Sequence, residues 1–308
     1  MLSRVAERCY WLARYLERAE NSARLMRVYS GLLLDLPGST GLGWEDVLAI
    51  TGTEMPAGRA NERQLLSYLL SDRSNPSALL SSLALARENA RTTRDVLPTE
   101  AWRAMNELYL FARDRLPRAS QARQRDTILA ELVEQVQCIT GLLVSTMSHG
   151  AAYQFMRLGR DLERADMTTR TIDVAASVLL IGRPELARYD NTLWMAVLRC
   201  LSAYQAYRQY VRRRIDSDQV IRFLVTDPDF PRTVHYCVHD ARLALAQLPR
   251  SEVPLQRTDN FVARLASLEI DAADAHSLHQ LMDDLQLEVA RINESVVEVW
   301  FSQETTPS

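Results

Sequence analysis

The 308-residue chain carries a net charge of −3 with 47% hydrophobic and 24% charged residues, the balance of an ordinary globular protein with no global field to draw it to nucleic acid or an anionic membrane. All 36 basic residues are arginine; the absence of lysine excludes a phosphate-loop lysine, a Schiff-base lysine and lysine-held ATP, so a nucleotide-driven step would need a partner chain. Few glycines (10) and prolines (11) favour helices over turn-rich sheet, and four scattered cysteines (Cys9, Cys138, Cys200 and Cys237) fit a reduced, cytoplasmic setting.

At the start of the chain, Arg4, Glu7 and Arg8 stand where a signal peptide would need an apolar core. A long helix is expected from Ser3, a usable N-cap, to about Leu36, where Pro37, Gly38 and Ser39 stop it. Leu2, Val5, Cys9, Leu12, Leu16, Ala19, Ala23 and Met26 recur at steps of three and four and form one apolar stripe. Beside it Glu17, Glu20 and Arg24 share a flank, with Arg14, Arg18 and Asn21 farther round. Broken chain follows: five of the ten glycines fall between Gly38 and Gly58, with short helices expected at 44–51 and 61–70. Asn75 and Pro76 read as N-cap and first residue of a helix to about Val96. Pro98 and Thr99 open another to Phe111 or Ala112, and a long helix is expected over 125–148.

His149 and Gly150 mark a corner, after which the first helix repeats. Leu158, Arg160, Leu162-Glu163-Arg164-Ala165, Asp166 and Arg170 match Leu12, Arg14, Leu16-Glu17-Arg18-Ala19, Glu20 and Arg24 at one offset, 163 − 17 = 146. Ala19 and Ala165, at equivalent stripe positions, would let the two helices approach closely, packed through Leu12/Leu16/Ala19 and Leu158/Leu162/Ala165. This helix is expected to end near Gly182, Arg183 and Pro184; its run from Val174 to Ile181, the longest apolar one, is far too short to cross a bilayer. Helices are then expected at 193–215, 218–225, from 227–232 to Leu248, at 258–270 after a polar loop, and at 275–300, with a frayed tail after Phe301. No stretch alternates with period two, so the fold expected is all-α, a multi-helix bundle of long helices in one domain over 1–308 with pseudo-repeated halves of about 1–148 and 149–303.

This order of motifs resembles the alpha-E family, all-helical bacterial proteins with a repeated Glu-Arg motif. The resemblance runs through Met1–Glu7 and Leu16–Glu20, through Arg87-Glu88-Asn89-Ala90-Arg91 with Trp102 and Asn106, through Gly159–Asp166, and through Phe223-Leu224 and Phe230-Pro231-Arg232. It implies a helical companion of a circularly permuted ATP-grasp protein that makes amide or peptide bonds, in the neighbourhood of transglutaminase-like and proteasome-like peptidases; the reading adopted is a non-catalytic subunit with no cofactor. The Glu-Arg motif carries over to Glu17-Arg18 and Glu163-Arg164; Tyr15 against Asp161 is where the two copies differ most.

Three readings compete for the acid–arginine sets. Charges beside a seam can form an interhelical ion-pair network that fixes register. Alternatively Arg14, Arg18, Arg160 and Arg164 could fork an anionic or amino-acid-like ligand in a pocket between the two helices, the site of an enzyme or enzyme half. Glu17, Glu20, Glu163 and Asp166 could instead hold a metal, but no histidine accompanies them as in di-metal bundles. Each acid has an arginine nearby, which favours the network and leaves no catalytic residue and no metal expected. His235 and His239, at i and i+4, lack a third ligand because Cys237 points away, and His276 with His279 is no better supplied. Tyr204, Tyr207, Arg208, Tyr210 and Arg212–Arg214 make a basic, aromatic helix end that could take RNA or phosphate, against the plain reading of arginines favouring a helix C-terminus.

Overall fold

The computed structural model describes residues 3–54, 61–177, 184–270 and 275–302. These hold thirteen α-helices and no strand: α1 (Ser3–Asp35), α2 (Trp44–Ile50), α3 (Glu62–Leu70), α4 (Leu79–Thr92), α5 (Thr99–Arg115), α6 (Ala122–Thr146), α7 (Ala151–Ala176), α8 (Asp190–Cys200), α9 (Tyr204–Tyr210), α10 (Ser217–Thr226), α11 (Val234–Leu245), α12 (Glu252–Ala266) and α13 (Ala275–Val296). A π-helical turn, Val297–Phe301, prolongs α13. The expected end of the second motif helix at Gly182 and Arg183, and the tail beyond Ser302, lie outside the described residues.

The two motif helices, α1 and α7, pack side by side. Leu12, Leu16 and Ala19 on one, and Leu158, Leu162 and Ala165 on the other, are all buried, as their shared phase requires. Each buried leucine contributes roughly 1.5–3 kcal/mol by leaving water. The helices run parallel, since Arg14 meets Glu163 and Glu17 meets Arg164 at nearly constant sequence separation. Ala19 and Ala165 are both fully buried, and a close approach falls at Gly159, over the Tyr10 carbonyl: a Cβ there would fall well inside van der Waals contact of backbone that cannot give way. Around this pair the packing recurs. Helices α4 and α6 flank α1 and are bridged by α5; α11 and α13 flank α7 and are bridged by α12.

Three expected elements come out differently. The helix over 193–215 breaks after Cys200, where Ser202 takes φ 55° and Ala203 N–H reaches back to the Leu198 carbonyl at 2.7 Å, a helix-ending turn made without the usual glycine. Arg212–Arg214 therefore lie beyond α9 rather than on a helix end. Asn75 does not cap α4, which starts at Leu79; buried, it accepts from the Ser77 N–H at 2.9 Å and donates to the Tyr68 carbonyl at 3.0 Å. The polar loop before Thr258 is helix from Glu252, because Pro254 sits in the first turn, where its missing N–H costs nothing. Helix α6 is also long and apolar enough, at mean hydropathy 1.4, to cross a bilayer by length and composition, but its Ile128, Leu132, Val136 and Ile139 are buried in the fold.

Gly159→Ala is expected to destabilise the protein by roughly 3 kcal/mol, the upper range of overpacking, while Ser202→Gly raises stability by about 1 kcal/mol by relieving the left-handed residue. Urea unfolding of both variants measures the two opposite shifts.

Candidate functional site

The duplicated charges meet across the α1–α7 seam by exchanging partners. Arg164 of α7 donates from Nε and Nη2 to the two oxygens of Glu17 at 2.9 and 2.7 Å. Reciprocally, Arg18 of α1 donates from Nε and Nη2 to Glu163 at 2.5 and 3.1 Å. Both carboxylates are buried. Burial opposes their charge, yet Arg164 and Arg232 hold Glu17, and Arg14 and Arg18 hold Glu163, below the ordinary carboxylate range. The i+4 pairs also correspond: Arg24 donates to Glu20, and Arg170 Nε donates to Asp166 at 2.8 Å.

Arg14 and Arg160, equivalent in sequence, part company. Arg14 is buried, donating to Glu163 at 2.8 Å and to Asn293 at 2.7 Å, with Tyr10 donating to the same Asn293 oxygen at 2.6 Å. Arg160 turns instead to its neighbour Asp161, at 2.8 and 3.1 Å, and to Asp240 at 3.3 Å. The cause is the Tyr15/Asp161 difference: Asp161 is fully buried and takes the arginine, whereas Tyr15 stacks on Trp11. Burial pushes the Asp161 carboxyl up to about 7; Arg160 opposes this and the hydrogen-bonded Asp240 carboxylate reinforces it.

One member of the network was not singled out as a site residue by sequence. Arg232, buried, donates from Nη1 to Glu17 at 2.8 Å and to Asn21 at 2.7 Å, and from Nη2 to Glu20 at 2.7 Å. Its corner is fixed on every side. Asp227 Oδ1 accepts from the Asp229 and Phe230 N–H groups, Thr233 caps α11, and Thr168 of α7 donates to the Arg232 carbonyl at 2.9 Å. The available signal was an arginine directly before a good N-cap, after a proline that fixes the backbone.

Other candidates resolve simply. Cys237 faces the core and donates to the Pro231 carbonyl at 3.5 Å, away from His235 and His239, whose rings lie parallel 6.4 Å apart. Burial pushes the Cys9 and Cys200 thiols up to about 12, far from nucleophilic thiolates. His279 pairs with Asp173 at 2.6 Å and with Asp283 at 3.6 Å, the one grouping among the described residues with metal-ligand spacing. Hydrogen bonding to Asp173 raises the His279 pKa, which suits an imidazolium held by two carboxylates. Tyr207 is buried and donates to the Arg214 carbonyl at 2.9 Å, so that aromatic belongs to the core. As a whole the arrangement holds charge in place; among the described residues of the seam it places no thiol or hydroxyl nucleophile beside a base.

Glu17→Gln and Glu163→Gln each leave two arginines beside an uncharged group in a buried site, and each is expected to cost roughly 3–5 kcal/mol. Asp166→Asn, at the edge of the seam, should cost under about 1 kcal/mol; thermal melts of the three variants check the order. Asp161 sets a pH dependence of known sign. An unfolded aspartate ionises near 4, so between about 4 and 7 the folded chain holds the extra proton and stability falls as pH rises through that window. Melting curves from pH 5 to 8 should show the fall, and Asp161→Asn should flatten it.

Residues 1–301 match the Alpha-E family, described as a predicted α-helical domain with a conserved ER motif. Uncharacterized proteins of Mycobacterium bovis and Mycobacterium tuberculosis are each 24% identical to the chain over 321 aligned residues, which cover 96% of this chain and 36% of theirs. The chain thus spans 36% of the length of the curated relatives it matches. No solved structure matches it. With a match that runs through both motif helices and a Glu-Arg dipeptide at the centre of each, the chain belongs to the Alpha-E family.

Proposed function

We propose that this chain is a non-catalytic helical unit that works beside an ATP-grasp amide or peptide ligase, holding a rigid surface for that partner in the bacterial cytoplasm. The observation that carries the reading is the relatives' length: the matching unit is 36% of a longer chain, so in those proteins it is tied covalently to further sequence. A unit that is joined to other chain in its relatives is one that acts together with a neighbour. Two features of this chain agree. It has no lysine for nucleotide phosphates. The acids at its centre, Glu17 and Glu163, are neutralised by buried arginines, which makes them poor acid–base groups. The ATP-grasp identity of the neighbour is the expectation that the family resemblance carries, and a transglutaminase-like peptidase is the second partner it suggests.

Titration of the purified chain with Mg-ATP is expected to give no micromolar isotherm, while affinity capture of the tagged chain from its native cell should bring down an ATP-grasp protein. A micromolar ATP isotherm, or capture without any ATP-grasp protein, would overturn this reading.

A further inference from the structure

The corner that carries Arg232 has a counterpart before α4. Asp72, Pro76, Ser77 and Ala78 stand to Leu79, the first residue of α4, as Asp227, Pro231, Arg232 and Thr233 stand to Val234, the first residue of α11, at one offset, 232 − 77 = 155. The local turn is the same: Asp72 Oδ1 accepts from the Ser74 N–H at 2.8 Å, as Asp227 Oδ1 accepts from the Asp229 N–H at 3.0 Å. Ser77 is therefore the equivalent of Arg232. Each corner faces the opposite motif helix, Arg232 against Glu17, Glu20 and Asn21 of α1 and Ser77 beside Glu163, Asp166 and Met167 of α7, the three residues that match them at the 146 offset.

Where Arg232 fills its corner with a guanidinium, the short side chain of Ser77 leaves a polar cleft of about 190 Å³ between α1, α7 and the turn after α2. Its walls offer both charges. Arg18 keeps Nη1, and Arg170 keeps Nη1 and Nη2, outside any hydrogen bond among the described residues; the equivalent Arg164 Nη1 is occupied by the Pro231 carbonyl at 3.2 Å. Asp166 accepts from Arg170 on Oδ2 and keeps Oδ1 outside any hydrogen bond among the described residues; in the closed corner the equivalent Glu20 accepts from both Arg24 and Arg232 on one oxygen, Oε1, the latter at 2.7 Å. Gly52, at φ 62°, lets Arg170 reach the cleft, since a Cβ there would press to 2.9 Å on its Nη1. Glu163 is already shared by Arg14 and Arg18, so three arginines face two acids. A purely cationic ligand would add to that excess, while a ligand with no cation leaves the Asp166 oxygen unused.

We propose that this cleft binds a small α-amino acid as its zwitterion, the carboxylate on Arg18 and Arg170 and the ammonium on Asp166 where the closed corner holds its own guanidinium. Carboxylate on guanidinium is the strong, charge-assisted pairing, and the hydroxyl of Ser22 adds a neutral partner at the wall. The site stands apart from the ligase reading, because its test uses this chain alone and needs no partner.

The experiment is calorimetric titration of the full chain with L-alanine and L-glutamate, beside propionate, alaninamide and inorganic phosphate. The amino acids should bind saturably at millimolar concentration or below, with propionate and alaninamide at least about tenfold weaker, each having lost one charge-assisted pair. Ser77→Arg, which supplies the guanidinium of the closed corner, should fold and abolish the binding. Asp166→Asn should weaken it about tenfold. No amino-acid isotherm up to 10 mM, propionate, alaninamide or phosphate binding as tightly as the amino acids, or wild-type binding in both variants would overturn the proposal.

Discussion

Everything in this fold is built on two carboxylates that cross a helix seam in opposite directions. Removing Glu17 and Glu163 from water costs several kcal/mol each, and that cost is offset only where the geometry gives each of them two guanidiniums and little freedom. Such a network adds little net stability compared with well-packed apolar residues, but it restricts position sharply. Two apolar stripes of the same phase could slide along one another by a helical repeat and bury nearly the same area. Shifted by one turn, Glu163 would lose at least one of Arg14 and Arg18, and Glu17 would lose Arg164, leaving each carboxylate under-compensated in the core. The network fixes register, Gly159 over Tyr10 fixes distance, and α4, α6, α11 and α13 are laid against a pair already locked.

Much of this was legible before any coordinates. A stripe at steps of three and four marks which faces of α1 and α7 are buried, and a single offset marks which charges are equivalent. Helix and partner follow from those two patterns because both are local or periodic. What stayed hidden depends on contacts that no periodicity records. Arg232 lies 215 positions from Glu17, and only the folded corner brings it in. The close approach at Gly159 went unread because it depends on which residue lies over the Tyr10 carbonyl, which periodicity does not record. The break at Ser202 carries no glycine or proline to announce it, so the sequence there reads as one continuous helix. Asp173 and His279, 106 positions apart, met only in the structure.

The repeat is also where the two motif helices stop being alike, and the departures share a physical cause. A buried charge is tolerated only with its partner, so one substitution propagates to the residues around it. Asp161 in place of Tyr15 takes Arg160 and recruits Asp240 and Arg157, and Arg14 is left to serve Glu163 from the first helix. Glu163 thereby gains its second arginine from its own seam, and needs no guanidinium from a corner.

That supply explains how a serine can stand at 77. Glu17 receives Arg164 and Arg232; Glu163 receives Arg18 and Arg14. Were Arg14 to turn away as Arg160 does, Glu163 would keep a single arginine, and an uncharged residue at the Ser77 corner would leave the carboxylate under-compensated. With Arg14 in place, the corner is free of that duty and its short side chain opens a cleft that still reaches Arg18, Arg170 and Asp166. The same pair of helices thus has one corner closed by its own guanidinium and one open to solvent, and the asymmetry traces to the residue after the first arginine of each motif, Tyr15 in one and Asp161 in the other.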